Sequence, residues 1–578
     1  MHLFTNSLNP VPLIVAITLL AVAFLDGGAG PIAVGAIAAG AGLGLILAVL
    51  VLRAERLVVP RAAQLAAIAL VGFAGLTALS LQWASNDGAG FADLVLALAY
   101  ASVFILLVLL ARPGSGPGLL RAIAFVGLTI GAVSLAARLF GLGSWDATIS
   151  AVLPAAADRL GGPLGYWNAL GSLAALTIPL LLWQATAARS LTARRGALVA
   201  IALPMAVIML TASRGAVLAA VLGVGVCVGY SLDRRRTIGL AALAAAVGAL
   251  FCGFVAVVDD GGNGAEGAAV SALASQRPGA ELEVGLLRGA DSGRGEFWAE
   301  ALSAFGADPL RGVGAGGYAD YWNRHNDLGV PIENAHSAPL EAIAELGILG
   351  GFLLLAFLVL VLRAGHGRAI EERIATVRER RGEIRPASVA LAVVVAGLVG
   401  FLTDWTNEIP AAFLPVLLSA ALLSGGAFLP PGHSPKGTPA GQRNVIARVA
   451  GVVLLAVAAV SAGLVLAVSA HSIRESRAAL AEGRLTEAAG LARAGIELQP
   501  WAAEPRLLLA EIELEAGNLD AALRQSREAV RLAPDDFRVW RLSSLISNEL
   551  RVKDAARAYA ATAERLAPAV LDRADPDS

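Results

Sequence analysis

The residues of this 578-residue chain best suited to chemistry are three arginines and a histidine beside apolar runs. Arg214 interrupts a nearly continuous apolar stretch, Arg294 and Arg311 lie in a long polar segment, and His336 directly precedes another apolar run. A guanidinium can hold two phosphate oxygens at once. A histidine titrates near neutral pH and can accept a proton from a hydroxyl. These residue types predict a site that binds phosphate and moves a proton at a membrane surface.

Each of these residues also has a structural interpretation. Arg214 can be an arginine at a helix end whose charge reaches the headgroup region. Arg294 can be a solvated loop charge, and His336, taken without its surroundings, a structural histidine. Glu345, in the apolar run after His336, is expected either to orient its neighbours or to satisfy polar contacts. An ionisable residue at the boundary of a membrane segment is nevertheless a functional candidate by default.

Apolar runs organise the chain around these residues. Hydrophobic residues make up 57% of the sequence and charged residues only 15%, whereas soluble domains are about a quarter charged. A helix that crosses the hydrocarbon needs about 20 apolar residues. Such runs are centred near residues 18, 42, 73, 101, 130, 175, 204, 223, 247, 352, 397, 419 and 458. The sequence therefore predicts an all-α fold, a polytopic membrane bundle of about 12 to 13 transmembrane helices.

Basic residues in every second connection predict the orientation of this bundle. Short connections rich in Lys and Arg face the cytoplasm. If the N-terminus is cytoplasmic, the basic clusters all fall on that side: Arg53–Arg61, Arg112–Arg121, Arg189–Arg195, Arg234–Arg236, Arg363–Arg385 and Lys436–Arg448. The short connections between them, such as Ser85–Gly90 and Thr403–Pro410, contain no Lys or Arg. The segment Asp259–Pro339 and the residues after about Ser469 are then extracytoplasmic.

The C-terminal segment repeats with a period of 34 residues. Gly483 and Gly517 open similar stretches, and prolines stand at Pro500, Pro534 and Pro568. This period, with small residues where helices cross, resembles tetratricopeptide repeats. Such repeats are helix pairs that bury one face by stacking. The segment is expected to bind a protein partner or to act as a structural cap.

These patterns divide the chain into four units. Residues 1–258 hold the first transmembrane helices, and residues 259–340 form a large extracytoplasmic loop that contains the predicted site. Residues 341–469 hold the last transmembrane helices, and residues 470–578 form the soluble extracytoplasmic repeats. The first part of the loop, Asp259–Ala290, is rich in Gly and Ala and is predicted to be flexible.

Four motifs between residues 160 and 350 resemble the O-antigen ligase and polymerase superfamily of bacterial envelope glycosyltransferases. They are Arg-Gly-x-x-Trp at Arg294–Trp298 with the following Asp308-Pro-Leu and Gly312-Val-Gly-Ala-Gly, His336…Leu340…Glu345-x-Gly347, Ser213-Arg214-Gly215, and Gly162-Pro-Leu-Gly-Tyr-Trp-Asn168-Ala. The chain departs from the family at two positions. Ser337 stands where members often have Asn, and Tyr166 stands where a second Asn is common.

The resemblance implies an inverting glycosyltransferase in the bacterial cytoplasmic membrane. An acceptor hydroxyl would attack the anomeric carbon of a glycan and displace undecaprenyl diphosphate. Arg214 and Arg294 would hold the diphosphate as its charge grows, and His336 would accept the hydroxyl proton or orient the hydroxyl. The predicted substrate-binding residues are Arg311, Asn168 and Glu345. Because the chain has no HExxH motif and no paired-histidine spacing, we expect transfer without a metal or another cofactor.

Several functions remain open at this point. The acceptor can be a lipid, a polysaccharide or a protein, so a ligase, a polymerase and a protein O-glycosyltransferase all fit. A non-catalytic scaffold or transporter for polysaccharide assembly is the alternative from another class, although the polar cluster lies at the outer face rather than at the midplane. The expected partners are the lipid-linked glycan, its acceptor, membrane lipids and a protein at the repeats. A net charge of -1 gives no indication of nucleic-acid binding.

Overall fold

The computed structural model describes residues 10–52, 59–142, 159–274, 293–379, 384–429 and 445–574. Within these residues the chain is helical and has no strand, which confirms the all-α prediction. Ten of the described helices are long and apolar enough to cross a membrane, and three shorter apolar helices accompany them. Each of the predicted apolar runs corresponds to one of these helices. The chain is therefore a multi-pass membrane protein.

The helices of the membrane part and its large loop are numbered in chain order. They are α1 Val11–Ala23, α2 Pro31–Val51, α3 Arg61–Ser80, α4 Asp87–Leu110, α5 Gly116–Phe140, α6 Trp167–Ala187, α7 Leu191–Ala200, α8 Ala202–Thr211, α9 Arg214–Tyr230, α10 Arg234–Ala274, α11 Arg294–Ala307, α12 Tyr318–His325, α13 Ala338–Glu379, α14 Pro386–Thr403, α15 Pro410–Ser424 and α16 Val445–Ala481. Short 3-10 turns occur at Asp26–Gly28 and Thr406–Glu408.

The repeat segment adds six further helices. They are α17 Leu485–Leu498, α18 Glu504–Glu515, α19 Leu519–Leu532, α20 Phe537–Glu549, α21 Lys553–Leu566 and α22 Pro568–Ala574. The turns before α17, α19 and α21 place Gly483, Gly517 and Arg551 in the left-handed region, with φ of 72°, 75° and 60°. The same backbone conformation recurs at matching positions, as a tandem repeat requires.

Several sequence predictions fall on parts of the chain outside the described residues. These parts include residues 1–9, Arg53 and Arg56, residues 380–383 and residues 436–443. The predicted flexible segment Asp259–Ala290 is described only as far as Ala274, and there α10 remains helical. The helical conformation of this first part was not predicted, and the flexibility of the segment stays a prediction. Its alanines, the best helix formers, outweigh its glycines.

The centre of the bundle is α6, in which almost every residue is buried. It packs against α5, α8, α9 and α14, and these contacts form the largest hydrophobic core. At Gly171 of α6, an added Cβ would lie 2.9 Å from Thr211 Oγ1 and 3.2 Å from Ser213 Cβ. The start of α9 therefore lies close against the first turns of α6.

The last helix of the membrane part, α16, continues directly into the repeats. Helix α16 runs without a break from Val445 to Ala481 and crosses the predicted boundary at residues 469 and 470. In the membrane it packs on α2 through Gly35 and Gly463, where each glycine faces the backbone oxygen of the other. Small residues allow two helix backbones to approach this closely. The repeats thus continue from a firmly packed helix rather than from a linker.

Candidate functional site

Five helix ends meet at one end of the bundle. Helices α6, α9, α11 and α13 begin there, and α14 ends there. The backbone N–H groups at a helix N-terminus carry partial positive charge and favour anions. The first residues of α9 and α11 are Arg214 and Arg294. Two helix N-termini and two arginines therefore lie at the same end of the bundle.

Asp404 lies at the centre of this arrangement, one residue beyond α14. Its Oδ1 accepts hydrogen bonds from the Tyr166 hydroxyl at 2.8 Å and from the backbone N–H of Trp405 at 2.9 Å. Its Oδ2 accepts Asn168 Nδ2 at 2.6 Å and an Arg294 guanidinium nitrogen at 3.0 Å. Four donors thus surround one carboxylate that is almost completely buried.

These contacts fix the orientation of Arg294. The side chain of Arg294 is 26% exposed and that of Asp404 only 6%, so the ion pair is largely buried while part of the arginine side chain reaches the surface. Charge-assisted hydrogen bonds of this kind are stronger than neutral ones. The Tyr166 hydroxyl remains protonated, because burial and then the charge of Asp404 raise its pKa well above the usual value. Tyr166 is therefore a permanent donor to Asp404.

Arg214 lies at the same end of the bundle. It is the first residue of α9, and Ser213 caps this helix by accepting the Ala216 N–H at 3.3 Å. The side chain of Arg214 is exposed. The Gly171 contact places the start of α9 beside α6, and a Cβ added at Gly215 would lie 4.0 Å from Val399 Cγ1 of α14. The arginine thus stands above the junction of α6, α9 and α14.

His336 occupies a left-handed turn immediately before α13, with φ of 52°. This conformation is uncommon for residues other than glycine. Buried neighbours hold it. The Glu341 carboxylate accepts the Ala335 N–H at 2.8 Å, and Asn334 Nδ2 lies 3.5 Å from Glu408. The imidazole is close enough to Asp404 and Arg294 for both charges to act on it, and its ring lies 6.5 Å from that of Trp405.

The imidazole of His336 is arranged to act as a base. Its Nδ1 lies 3.3 Å from the carbonyl oxygen of Asn334, and a carbonyl can only accept. Nδ1 therefore carries the hydrogen, which leaves the Nε2 lone pair available. Burial lowers the pKa of His336 below 6.5, although the charge of Asp404 opposes this shift. The ring is consequently neutral at neutral pH.

Aromatic rings line the site on both sides of His336. Its ring centroid lies 5.0 Å from that of Phe297 and 6.5 Å from that of Trp405. Trp405 lies 4.6 Å from Tyr166, which lies 4.8 Å from Trp167. Aromatic side chains offer rigid apolar faces and exclude water.

Two predicted binding residues lie elsewhere. Glu345 is buried, and its carboxylate accepts the backbone N–H of Tyr318 at 3.1 Å. It lines a cavity of about 140 Å³ below the His336 turn, together with Asp93, Glu341 and Glu408. Arg311 is exposed in a turn whose backbone is held by Asp308 Oδ1.

The spacing of Phe297, Trp298 and Leu302 predicts a short amphipathic helix that lies on the membrane. The helix forms as α11, but its sides differ from this expectation. Phe297 is only 5% exposed and packs in the loop's own core at 5.0 Å from Trp322, whereas Leu302 is exposed. Phe297 thus supports His336 and does not face lipid. Helical spacing alone shows which residues share a face, not which partner covers that face.

Sequence reasoning missed Asp404 and the part played by Tyr166. Asp404 stands in the short connection Thr403–Pro410, whose lack of Lys and Arg indicates only the orientation of the bundle. A lone acidic residue at the end of an apolar run was the available signal. In the sequence Tyr166 is only a departure from a family pattern, yet its hydroxyl donates to Asp404 and accepts from Asn168.

Parts of the chain match two known protein families. The family model described as O-antigen ligase matches residues 197–355, which include Arg214, Arg294 and His336. The model described as tetratricopeptide repeat matches residues 479–546. No curated protein matches the chain. Both family matches agree with the resemblances seen in the motifs and in the 34-residue period. The chain is thus a multi-pass membrane protein whose residues 197–355 match the family described as O-antigen ligase and whose residues 479–546 match tetratricopeptide repeats.

Proposed function

We propose that this protein transfers a glycan from undecaprenyl diphosphate to an acceptor hydroxyl at the extracytoplasmic face of the bacterial cytoplasmic membrane. The observation that carries the proposal is the placement of Arg294 and a neutral His336 around one buried carboxylate, at the end of the bundle where Arg214 also lies. The alternation of basic connections supports the orientation. The O-antigen ligase match supports the general reaction.

The cationic groups suit the leaving group. In the proposed step the bond between the anomeric carbon and the phosphate oxygen breaks, and the diphosphate keeps the electron pair. Arg294 and Arg214 stabilise the added negative charge, and the N-termini of α9 and α11 contribute partial positive charge to the same region. Because these groups supply the charge that the diphosphate needs, we propose a reaction that is independent of a divalent metal.

His336 suits the acceptor side. The acceptor oxygen forms a bond to the anomeric carbon and gives its proton to Nε2 of His336. Nδ1 faces the carbonyl of Asn334, so the tautomer is already the one that a base requires. Attack opposite the departing diphosphate inverts the anomeric configuration. Asp404 holds Arg294 in place and also stabilises the imidazolium that forms.

The test uses purified protein in liposomes that contain undecaprenyl-diphosphate-linked glycan extracted from the host. His336→Ala should reduce release of undecaprenyl diphosphate about 100-fold or more, the usual contribution of a general base. His325→Ala is the matched control, because His325 lies exposed in the same loop and rests on Tyr321. The control should remain within about threefold of the parent protein.

Further measurements test each part of the proposal. NMR of the product reports the anomeric configuration, and chelator titration reports metal dependence. Labelled glycan found on lipid, on protein or in longer polymer distinguishes ligase, protein glycosyltransferase and polymerase. If His336→Ala protein, present at normal abundance, transferred glycan as the parent does, the assignment of the base would be wrong.

A further inference from the structure

The repeats dock on the membrane part beside the site. Trp501, in the turn before α18, meets Phe91 of α4 edge to face at 5.3 Å. A Cβ on Gly88, in the first turn of α4, would lie 3.2 Å from the Cβ of Ala502. Ala502 is 3% exposed. The first repeat is thus seated on the loop end of α4.

A second contact joins the repeats to α12 of the large loop. Arg324 forms an ion pair with Asp535 at 2.6 Å. Beside it, the Asp320 carboxylate is buried and accepts the Ser85 hydroxyl at 3.0 Å. Burial and the nearby charges of Asp536 and Asp535 raise the pKa of Asp320 to about 7. Helices α21 and α22 also contact α12.

The opposite side of α12 packs against Phe297, which in turn contacts His336. Tyr318 and Trp322 are fully buried, and the Tyr318 hydroxyl donates to the carbonyl of Phe297 at 2.9 Å. Phe297 lies between Trp322 and His336, at 5.0 Å from each ring. An isolated helix as short as α12 is unstable in water. Its position must therefore come from the groups packed on its two sides.

We propose that the repeats act as a positioning element for the reaction, by pressing α12 against Phe297 and thereby holding the His336 turn. The inference rests on the proposed function, because it gives the repeats a role in that reaction. Docking occupies the side of the repeats that faces α4 and α12. A displacement of about 1 Å at a reacting group can lower a rate about 100-fold, so transfer requires the docked tail.

A disulfide across the Gly88–Ala502 contact tests docking directly. The full-length protein carries Gly88→Cys and Ala502→Cys, with Cys227 and Cys252 replaced by alanine. The Cβ separation of 3.2 Å is a few tenths of an ångström below that of natural disulfides. A small shift of the two segments therefore allows the bond to form on oxidation. The oxidised protein should transfer glycan at the rate of its reduced form. Failure of the bond to form, or loss of transfer on oxidation, would overturn the proposal.

An undocked variant tests whether docking matters for transfer. Trp501→Glu with Asp535→Arg removes the aromatic contact and places like charge beside Arg324. Transfer should fall about tenfold or more, and hydrogen exchange should rise over residues 318–337. Glu549→Arg, a charge reversal at an exposed residue of α20, is the matched control and should change neither quantity.

Redox-dependent rescue separates positioning from general damage. With the two new cysteines added, the undocked variant should be slow when reduced and should regain transfer on oxidation, because the disulfide restores the docked tail. An undocked variant that transfers like the parent would refute the proposal. If the parent itself transfers no glycan, the proposed function fails, while hydrogen exchange at residues 318–337 still decides whether docking orders the turn.

Discussion

Replacement of Asp404 by asparagine tests how the site holds Arg294. Each carboxylate oxygen of Asp404 accepts two hydrogen bonds. In asparagine an –NH₂ group replaces one of the two oxygens and cannot accept, so either orientation of the amide loses two hydrogen bonds. If the –NH₂ group takes the place of Oδ2, the hydrogen bonds to Asn168 and Arg294 are both lost. A hydrogen bond to a charged group contributes about 1.5–3 kcal/mol. Since about 1.4 kcal/mol corresponds to a tenfold change, loss of the Arg294 bond alone should lower kcat/KM about 10- to 100-fold.

The assay is the liposome transfer reaction. Size-exclusion chromatography of the purified variant checks that it is folded and not aggregated. Asp327→Asn is the control, because it makes the same charge change at an exposed residue of the same loop. If Asp404 acts through Arg294, Asp404→Asn should have little further effect once Arg294→Gln is present. The explanation would be refuted if Asp404→Asn retained parental kcat/KM, or if the two substitutions were fully additive.

Two further predictions concern pH and backbone conformation. Burial lowers the pKa of His336, and only the neutral ring is a base, so transfer should persist at pH values below 6.5. The charge of Asp404 raises this pKa. Asp404→Asn removes that charge, so the acidic limb of its rate profile should lie at still lower pH. Gly347→Ala should lower the melting temperature in detergent, because φ is 64° and the new Cβ would press on the carbonyl of Leu310. Gly367→Ala, in the same helix with open space around it, should leave the melting temperature unchanged or raise it.

The membrane fold could be predicted because its physics is local. Every spanning helix requires an uninterrupted apolar run, and each such run is visible in the sequence. The start of α9 was similarly visible, since Ser213 is a preferred N-cap residue. The register of the repeats followed from glycines 34 residues apart. At Arg551 the left-handed position is kept without glycine, because the surrounding helix pairs impose the turn.

The site could be predicted only in part, because its centre is assembled from distant segments. Asp404 lies 110 positions from Arg294 and 236 from Asn168 along the chain. No local spacing relates these residues, so motif matching found the arginine and the amide but not the carboxylate that joins them. Glu345 shows the opposite case. It belongs to a motif, yet its carboxylate is engaged with the Tyr318 backbone.

Through the continuous helix α16, the proposed docking of the repeats becomes sensitive to the lipid bilayer. Its lower portion is fixed to α2 by the contact of Gly35 with Gly463, and its upper end carries the first repeat. A helix whose apolar length differs from the hydrocarbon thickness tilts to compensate. Tilt of α16 would lift or lower Trp501 relative to Phe91. Transfer in liposomes should therefore vary with acyl-chain length, and the disulfide at residues 88 and 502 should remove that dependence.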